Sequence, residues 1–222
     1  MRSRLRNFIL LFWVAASEIF AAPAPSSAVL TAQSGGKAFT FVCEVERPGI
    51  KVFSGDKVGA IEDALIDQRL DDTDDCNGAE WSVNQLSGSD VTLVMINPGR
   101  LGVNAQMNVY ALQRGVATFA GYLPVGADYG GKGEYSFEFE QADGFWRDIY
   151  EVSDGKISLS REIRLVRSGD VCVDKSQEVT DGATCNGRRL KASGSKPLCI
   201  VYRNKVGRIS PISACSKLMG RP

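Results

Sequence analysis

From Trp81 to Val166 the chain alternates apolar and polar residues in short runs, and glycine- or proline-bearing dipeptides separate the runs. A period of two puts successive side chains on opposite faces of an extended strand. Such a run buries its apolar face only by pairing into a sheet, so this pattern limits the chain to β architectures. Val91–Ile96, Asn108–Leu112, Val116–Val125, Tyr135–Glu140, Arg147–Val152 and Lys156–Val166 read as strands. Asn97-Pro98-Gly99, Asp143-Gly144 and Asp154-Gly155 are the turns, and Asp-Gly between alternating strands is a strong hairpin signal. Upstream, Phe39, Phe41, Cys43 and Val45 alternate with Thr40, Val42, Glu44 and Glu46, and Pro48-Gly49 returns the chain through Ile50–Phe53. The expected fold is mainly β: an antiparallel hairpin meander, propeller-like or a sandwich, with one short helix and a disulfide-stapled C-terminal part. The helix is expected at Asp56–Leu70, capped by Asp56, with Val58, Ile61, Leu65 and Leu70 along one side.

An internal repeat lies within the β region. Offsetting the chain by 40 residues matches Val109 to Ile149, Tyr110 to Tyr150, Gly115 to Gly155, Ala117 to Ile157 and Leu123 to Ile163. Each copy reads as a strand, a glycine turn and a longer strand. Val201-Tyr202 with Gly207 and Ile209 forms a third, degraded copy. A period near 40 with strands in each unit suggests propeller blades or a stacked meander.

The first residues address compartment. Arg2, Arg4 and Arg6 precede the apolar run Phe8–Ala16, and the chain then becomes small and proline-rich at Ala21–Pro25. This is the pattern of a cleaved export signal over residues 1–22, since a spanning helix needs about 20 apolar residues. Residues 23–37, rich in Ala, Pro, Ser and Gly, read as a flexible linker. A β-rich domain over residues 38–168 follows. Residues 169–222 form a Cys-rich, basic segment packed on it. The mature protein is expected in the periplasm or secreted, with no stable membrane insertion after signal removal.

Six cysteines remain after the signal: Cys43, Cys76, Cys172, Cys185, Cys199 and Cys215. In an exported chain they read as three disulfides. Six cysteines allow 15 pairings; sequential pairing keeps every loop short and local. Histidine is absent, which removes the Ser-His-Asp triad, the Cys-His dyad and every His-ligated metal site. No phosphate-binding loop, dinucleotide pattern or nucleic-acid-binding motif is present, and no cofactor is expected.

Formal net charge is zero but unevenly spread. Residues 22–155 carry 9 Lys+Arg against 20 Asp+Glu, and residues 156–222 carry 14 against 5. Either the basic part packs on the acidic body, or an exposed acidic face steers a cationic partner. The densest carboxylates are Asp71, Asp72, Asp74 and Asp75, just before Cys76. This cluster suggests a partner-binding loop, or a solvated acidic one. Calcium is a weaker reading, because the EF-hand pattern would require Gly at Cys76 and Glu at Ser82. Tyr129 in a glycine-rich turn and Trp146 after Asp143-Gly144 are the aromatic partner-binding candidates; Trp146 reads equally as the first core residue of the next strand. Glu138 and Glu140 share one strand face, about 7 Å apart along the backbone, the one arrangement compatible with carboxylate hydrolysis. Their alternation with Phe137 and Phe139 also fits a wet strand face.

The leader, the hairpins through Tyr110–Val166, including YEVSDGKISLSREIRL, and the cysteine-rich end closing at Cys215 together resemble bacterial periplasmic lysozyme-inhibitor and toxin-immunity proteins of propeller-like or sandwich type. The resemblance implies an exported, non-catalytic binding protein that neutralises a cell-wall-degrading enzyme, a cationic protein partner for its acidic body. An exported adhesion or envelope-assembly component and a His-free carboxylate hydrolase are the alternatives.

Overall fold

The computed structural model describes residues 27–71, 74, 76–102, 104–180 and 185–219; the segment expected to be an export signal and the start of the expected linker lie outside them. The first four strands, β1 (Ala28–Ser34), β2 (Lys37–Glu44), β3 (Gly49–Ser54) and β4 (Ile66–Arg69), form an antiparallel meander in that order. A second meander follows with β5 (Glu80–Gln85), β6 (Thr92–Asn97), β7 (Gln106–Gln113) and β8 (Val116–Pro124). The third sheet begins with β9 (Asp128–Gly131), β10 (Glu134–Gln141), β11 (Gly144–Ser153) and β12 (Lys156–Val166). It is extended by β13 (Gly169–Val173), β14 (Glu178–Thr180), β15 (Arg188–Ala192), β16 (Leu198–Arg203) and β17 (Val206–Ser210). Its nine strands run in the order β15-β13-β14-β17-β16-β12-β11-β10-β9.

The sheets stack face to face, with the second in the middle. Even-numbered Val94, Ile96, Tyr110 and Leu112 pack against Phe39, Phe41, Ile50 and Val52 of the first sheet. Odd-numbered Leu93, Met95, Val109 and Ala111 pack against Tyr135, Tyr150 and Ile157 of the third. Period two therefore serves two cores at once. It also explains why Thr92–Asn97 is buried throughout and reads as a continuous apolar run. This is a layered, sandwich-like meander.

The 40-residue repeat is structural. Hairpins β7–β8 and β11–β12 share two-residue turns with both residues left-handed, Arg114-Gly115 (φ 52° and 72°) and Asp154-Gly155 (φ 51° and 68°). Both carry a β-bulge at the same register, between Val109 and Tyr110 and between Ile149 and Tyr150. The third copy is out of phase. The β16–β17 turn is Asn204-Lys205, both left-handed, and Gly207 lies within β17 opposite Tyr202.

Two expectations are corrected. The linker does not reach Lys37: Ala28–Ser34 is a strand paired along its whole length with β2, through a Gly35-Gly36 turn with φ of 58° and 74°. Weak apolarity concealed it, although Leu30 and Ala32 pack into the first core. The helix at Asp56–Leu70 is also absent. That segment holds a 3-10 turn, Ile61–Asp63, and then β4. Val58, Ile61 and Leu65 are exposed, so the apolar stripe finds no surface to cover. Open pairing positions on β3 claim Ile66–Arg69 instead, tertiary context overriding a weak propensity. Among the described residues the one short α-helix is α1, Ser216–Met219, whose Leu218 caps a small core with Phe145, Leu165 and the Cys199–Cys215 disulfide.

All six cysteines are bonded, as Cys43–Cys76, Cys172–Cys185 and Cys199–Cys215. The sequential pairing holds, and this is chemistry of an oxidising compartment. No helix among the described residues is long and apolar enough to cross a membrane. Nor is the basic segment a separate packed unit. Leu198–Tyr202 of β16 pairs directly with Glu162–Val166 of β12, so a boundary at residue 168 cuts through one sheet.

Candidate functional site: a carboxylate pair beside an aromatic cleft

One face of the third sheet is covered at both ends. At one end Tyr135, Tyr150 and Ile157 lie under the middle sheet. At the other, Val166, Val171, Ile200 and Leu198 close a separate small core. From the first of these toward the second, strand register aligns two adjacent cross-strand rows that end on Tyr202 and Ile200 of the small core. The first is Phe137–Asp148–Glu162–Tyr202 and the second Phe139–Trp146–Arg164–Ile200. Phe137, Phe139, Trp146, Asp148, Glu162 and Arg164 are all half-buried, as expected of an open stretch between two covered ones.

The aromatic rings form a continuous stack. Phe137 lies on Phe139 (centroids 5.7 Å apart), Phe139 on Trp146 (6.1 Å, planes 7° apart), and Trp146 on Tyr202 (5.9 Å). The Arg164 guanidinium sits 4.8 Å from the Trp146 ring centroid and is held by Asp143, a cation–π contact strengthened by partial burial. Arg164 also reaches Tyr202 at the end of the first row, but its carboxylate partner is Asp143. Asp148 and Glu162 face each other directly across β11 and β12, and like charges so placed repel. Among the described residues no Lys or Arg forms an ion pair with either, and Asp148 Oδ1 is buried without a hydrogen-bond partner. Burial, then the negative charge of Glu162, pushes the Asp148 carboxyl up to about 6. Tyr150, whose hydroxyl lies 3.5 Å from Asp148 Oδ2, is pushed up to about 12, by burial first and then by Asp148.

Asp148 and Tyr150 open into a cleft of about 600 Å³ between β10 and the rim of the middle sheet. Its walls are Phe137, Phe139, Pro124 and Ala105, and among the described residues its charged lining groups are Glu138, Glu140 and Asp148. The arrangement offers negative charge between aromatic walls, which is the chemistry that holds an ammonium or guanidinium group.

The sequence-derived candidates fare differently. Asp74 is not a surface residue. It is buried, its side chain 1% exposed, and it takes two hydrogen bonds from Arg100, from Nε at 2.7 Å and Nη2 at 2.6 Å. Asp71 is exposed, with Arg100 4.0 Å away; Asp72 and Asp75 lie outside the described residues. Tyr129 lies in β9. Its ring packs 5.1 Å from Tyr135 in the second core, and its hydroxyl accepts from the backbone N–H groups of Ser87 and Gly133. Trp146 belongs to the cleft row, as a strand residue and not a turn residue. Glu138 and Glu140 do share a face of β10, but Glu138 is paired with Arg147 at 3.3 Å. No group of three or more potential metal ligands occurs among the described residues.

Asp148 and Glu162 escaped the sequence reading. Their signal was present: a lone Asp between Trp146 and Tyr150, at alternate positions of one strand, puts a carboxylate on an otherwise aromatic face. The second carboxylate, 14 positions further on, needs the β11–β12 register.

The chain matches no known protein family, no curated protein and no solved structure. What the site does must therefore be read from its own chemistry.

Proposed function

We propose that this is an exported, non-catalytic binding protein that takes a cationic partner protein at the cleft of its third sheet. The supporting observation is the uncompensated pair Asp148 and Glu162 set among Phe137, Tyr150 and Tyr202. Two half-buried carboxylates without a cation cost stability in the free protein, and an incoming Lys or Arg side chain relieves that cost. Aromatic walls add cation–π attraction and exclude water, which raises what each charge contact contributes. With the acidic bias of residues 22–155, the field also steers basic proteins toward this side of the molecule. The periplasm, or the medium outside the cell, is the compartment this reading requires, and the three disulfides agree with either.

Cell-wall-degrading enzymes of the lysozyme type are basic proteins working in that compartment, and we take one of them as the target. The test is titration of a basic lysozyme with the processed protein at low and high salt. Tight, salt-weakened binding that inhibits wall lysis is expected. The double variant Asp148→Asn/Glu162→Gln should lose most of it while retaining the wild-type circular dichroism. Unchanged affinity in that variant would remove the site. Binding without inhibition would leave a cationic-partner protein of another kind.

A further inference from the structure

We infer that the cleft captures its partner by strand addition: an extended, Lys- or Arg-bearing segment pairs with the open edge of β10. This rests on the cationic-partner reading above but concerns a different set of atoms, the β10 backbone. β10 is paired along its full length with β11, from Glu134↔Glu151 to Gln141↔Gly144. On its other side β9 reaches only to Ser136. Among the described residues no strand pairs with Phe137–Gln141 on that side, so this segment presents unsatisfied N–H and C=O groups over about 17 Å. Those groups border the 600 Å³ cleft, which separates them from Gln106 and Pro124 of the middle sheet. An added strand there would bond its backbone to β10 and seat alternate side chains in the cleft, the usual division between affinity and specificity in this mode of recognition.

The composition of the edge selects the occupant. Open edges are hazards, and proteins commonly blunt them with charge or proline. Here the blunting groups are Glu138, which is also paired with Arg147 of β11, and exposed Glu140, while Asp148 lies on the Phe137 side of the sheet. A second copy of this edge would set like charges opposite one another and is repelled. A segment alternating basic and apolar residues meets carboxylates on one face and the Phe137–Phe139 stack on the other. Charge complementarity thus favours a basic partner strand over self-association.

Three synthetic peptides test this on the full disulfide-bonded protein. One alternates lysine with valine. A second has the same sequence with alternate backbone amides N-methylated, and a third replaces lysine by glutamate. Affinity is read by titration calorimetry and strand addition by amide hydrogen exchange at Phe137–Gln141. The lysine peptide is expected to bind and to slow exchange of those amides. N-methylation should weaken binding at least about tenfold, the loss of one or two backbone hydrogen bonds, and the glutamate peptide should not bind. Glu140→Lys, at an exposed position on the cleft rim, should weaken the lysine peptide and admit the glutamate one. Equal binding of the N-methylated peptide, with no change in exchange, would overturn strand addition while leaving the carboxylate site standing. Equal, N-methyl-sensitive binding of the lysine and glutamate peptides would keep the edge but overturn the cationic occupant. Failure of all three peptides to bind would overturn the inference.

Discussion

Arg100→Met should be among the most damaging single changes outside the cores. Asp74 is buried beside the Cys43–Cys76 disulfide, and Arg100 is the cation that compensates it, through two hydrogen bonds of 2.6 and 2.7 Å. The same guanidinium donates from Nη1 to Asn108 Oδ1 at 3.2 Å and to the Gln106 carbonyl at 3.1 Å. Asn97 brackets its backbone, accepting from the Arg100 N–H and donating to its C=O. One side chain thus ties the acidic segment to the β6–β7 connection and to fully buried Asn108. Methionine fills similar volume but leaves a buried carboxylate unpaired, a change that costs about 3–5 kcal/mol. Arg100 is one-fifth exposed, so water can partly replace it, and the lower end, about 3 kcal/mol, is the expected loss. For a domain of this size that lowers Tm by about 10 °C. Urea and thermal unfolding of the oxidised protein measure it. The companion variant Asp74→Asn/Arg100→Met removes the stranded charge and should recover most of the loss. A loss under about 1 kcal/mol for Arg100→Met, or a double variant no better than the single one, would refute the assignment of Asp74 to an internal clamp.

Three further outcomes are expected. The Asp148 carboxyl is raised from 3.8 to about 6 by burial and then by Glu162, so the folded state binds a proton more tightly than the unfolded chain. Stability contributed by that proton is present at low pH and lost as pH rises through the window from 3.8 to about 6. Asp148→Asn should flatten that slope in pH-dependent urea midpoints, and binding of a cationic ligand should strengthen as pH rises through 6. Replacing Cys43 and Cys76 together by Ser should destabilise by about 4 kcal/mol, from a loop with a separation of 33 residues. Removing Cys172–Cys185, separated by 13, should cost about 3; equal denaturant midpoints for wild type and the first variant would contradict this. Gly207→Ala places a Cβ 2.4 Å from the Tyr202 ring, so the ring must leave its stack on Trp146. A loss of about 1–3 kcal/mol with a changed near-ultraviolet dichroism is expected, and an unaltered spectrum would show that the stack does not depend on this glycine.

Period-two alternation, Asp-Gly turns and an even cysteine count were enough to specify a mainly β, hairpin-built, triply bridged chain. Each of these is a local property: strand periodicity, left-handed turn residues and short loop closure act between neighbours in sequence. The 40-residue repeat was legible for the same reason, and its matched bulges confirm that like sequences bend alike. Signals that depend on a distant surface were not legible. Ala28–Ser34 becomes a strand because β2 offers it a partner, and Asp56–Leu70 fails as a helix because nothing covers its apolar stripe while β3 has pairing positions open. The acidic segment looked like a binding loop, yet Arg100, 26 positions away, draws Asp74 inside. The pairing within the site belongs to the tertiary level. Asp148 stands out in sequence only as a carboxylate on an aromatic strand face, and it is the register of two long strands, with the sheets ending where they do, that sets Glu162 beside it at the edge of the cleft. Periodicity tells each strand which side chains share a face; only packing decides which of those faces stays open.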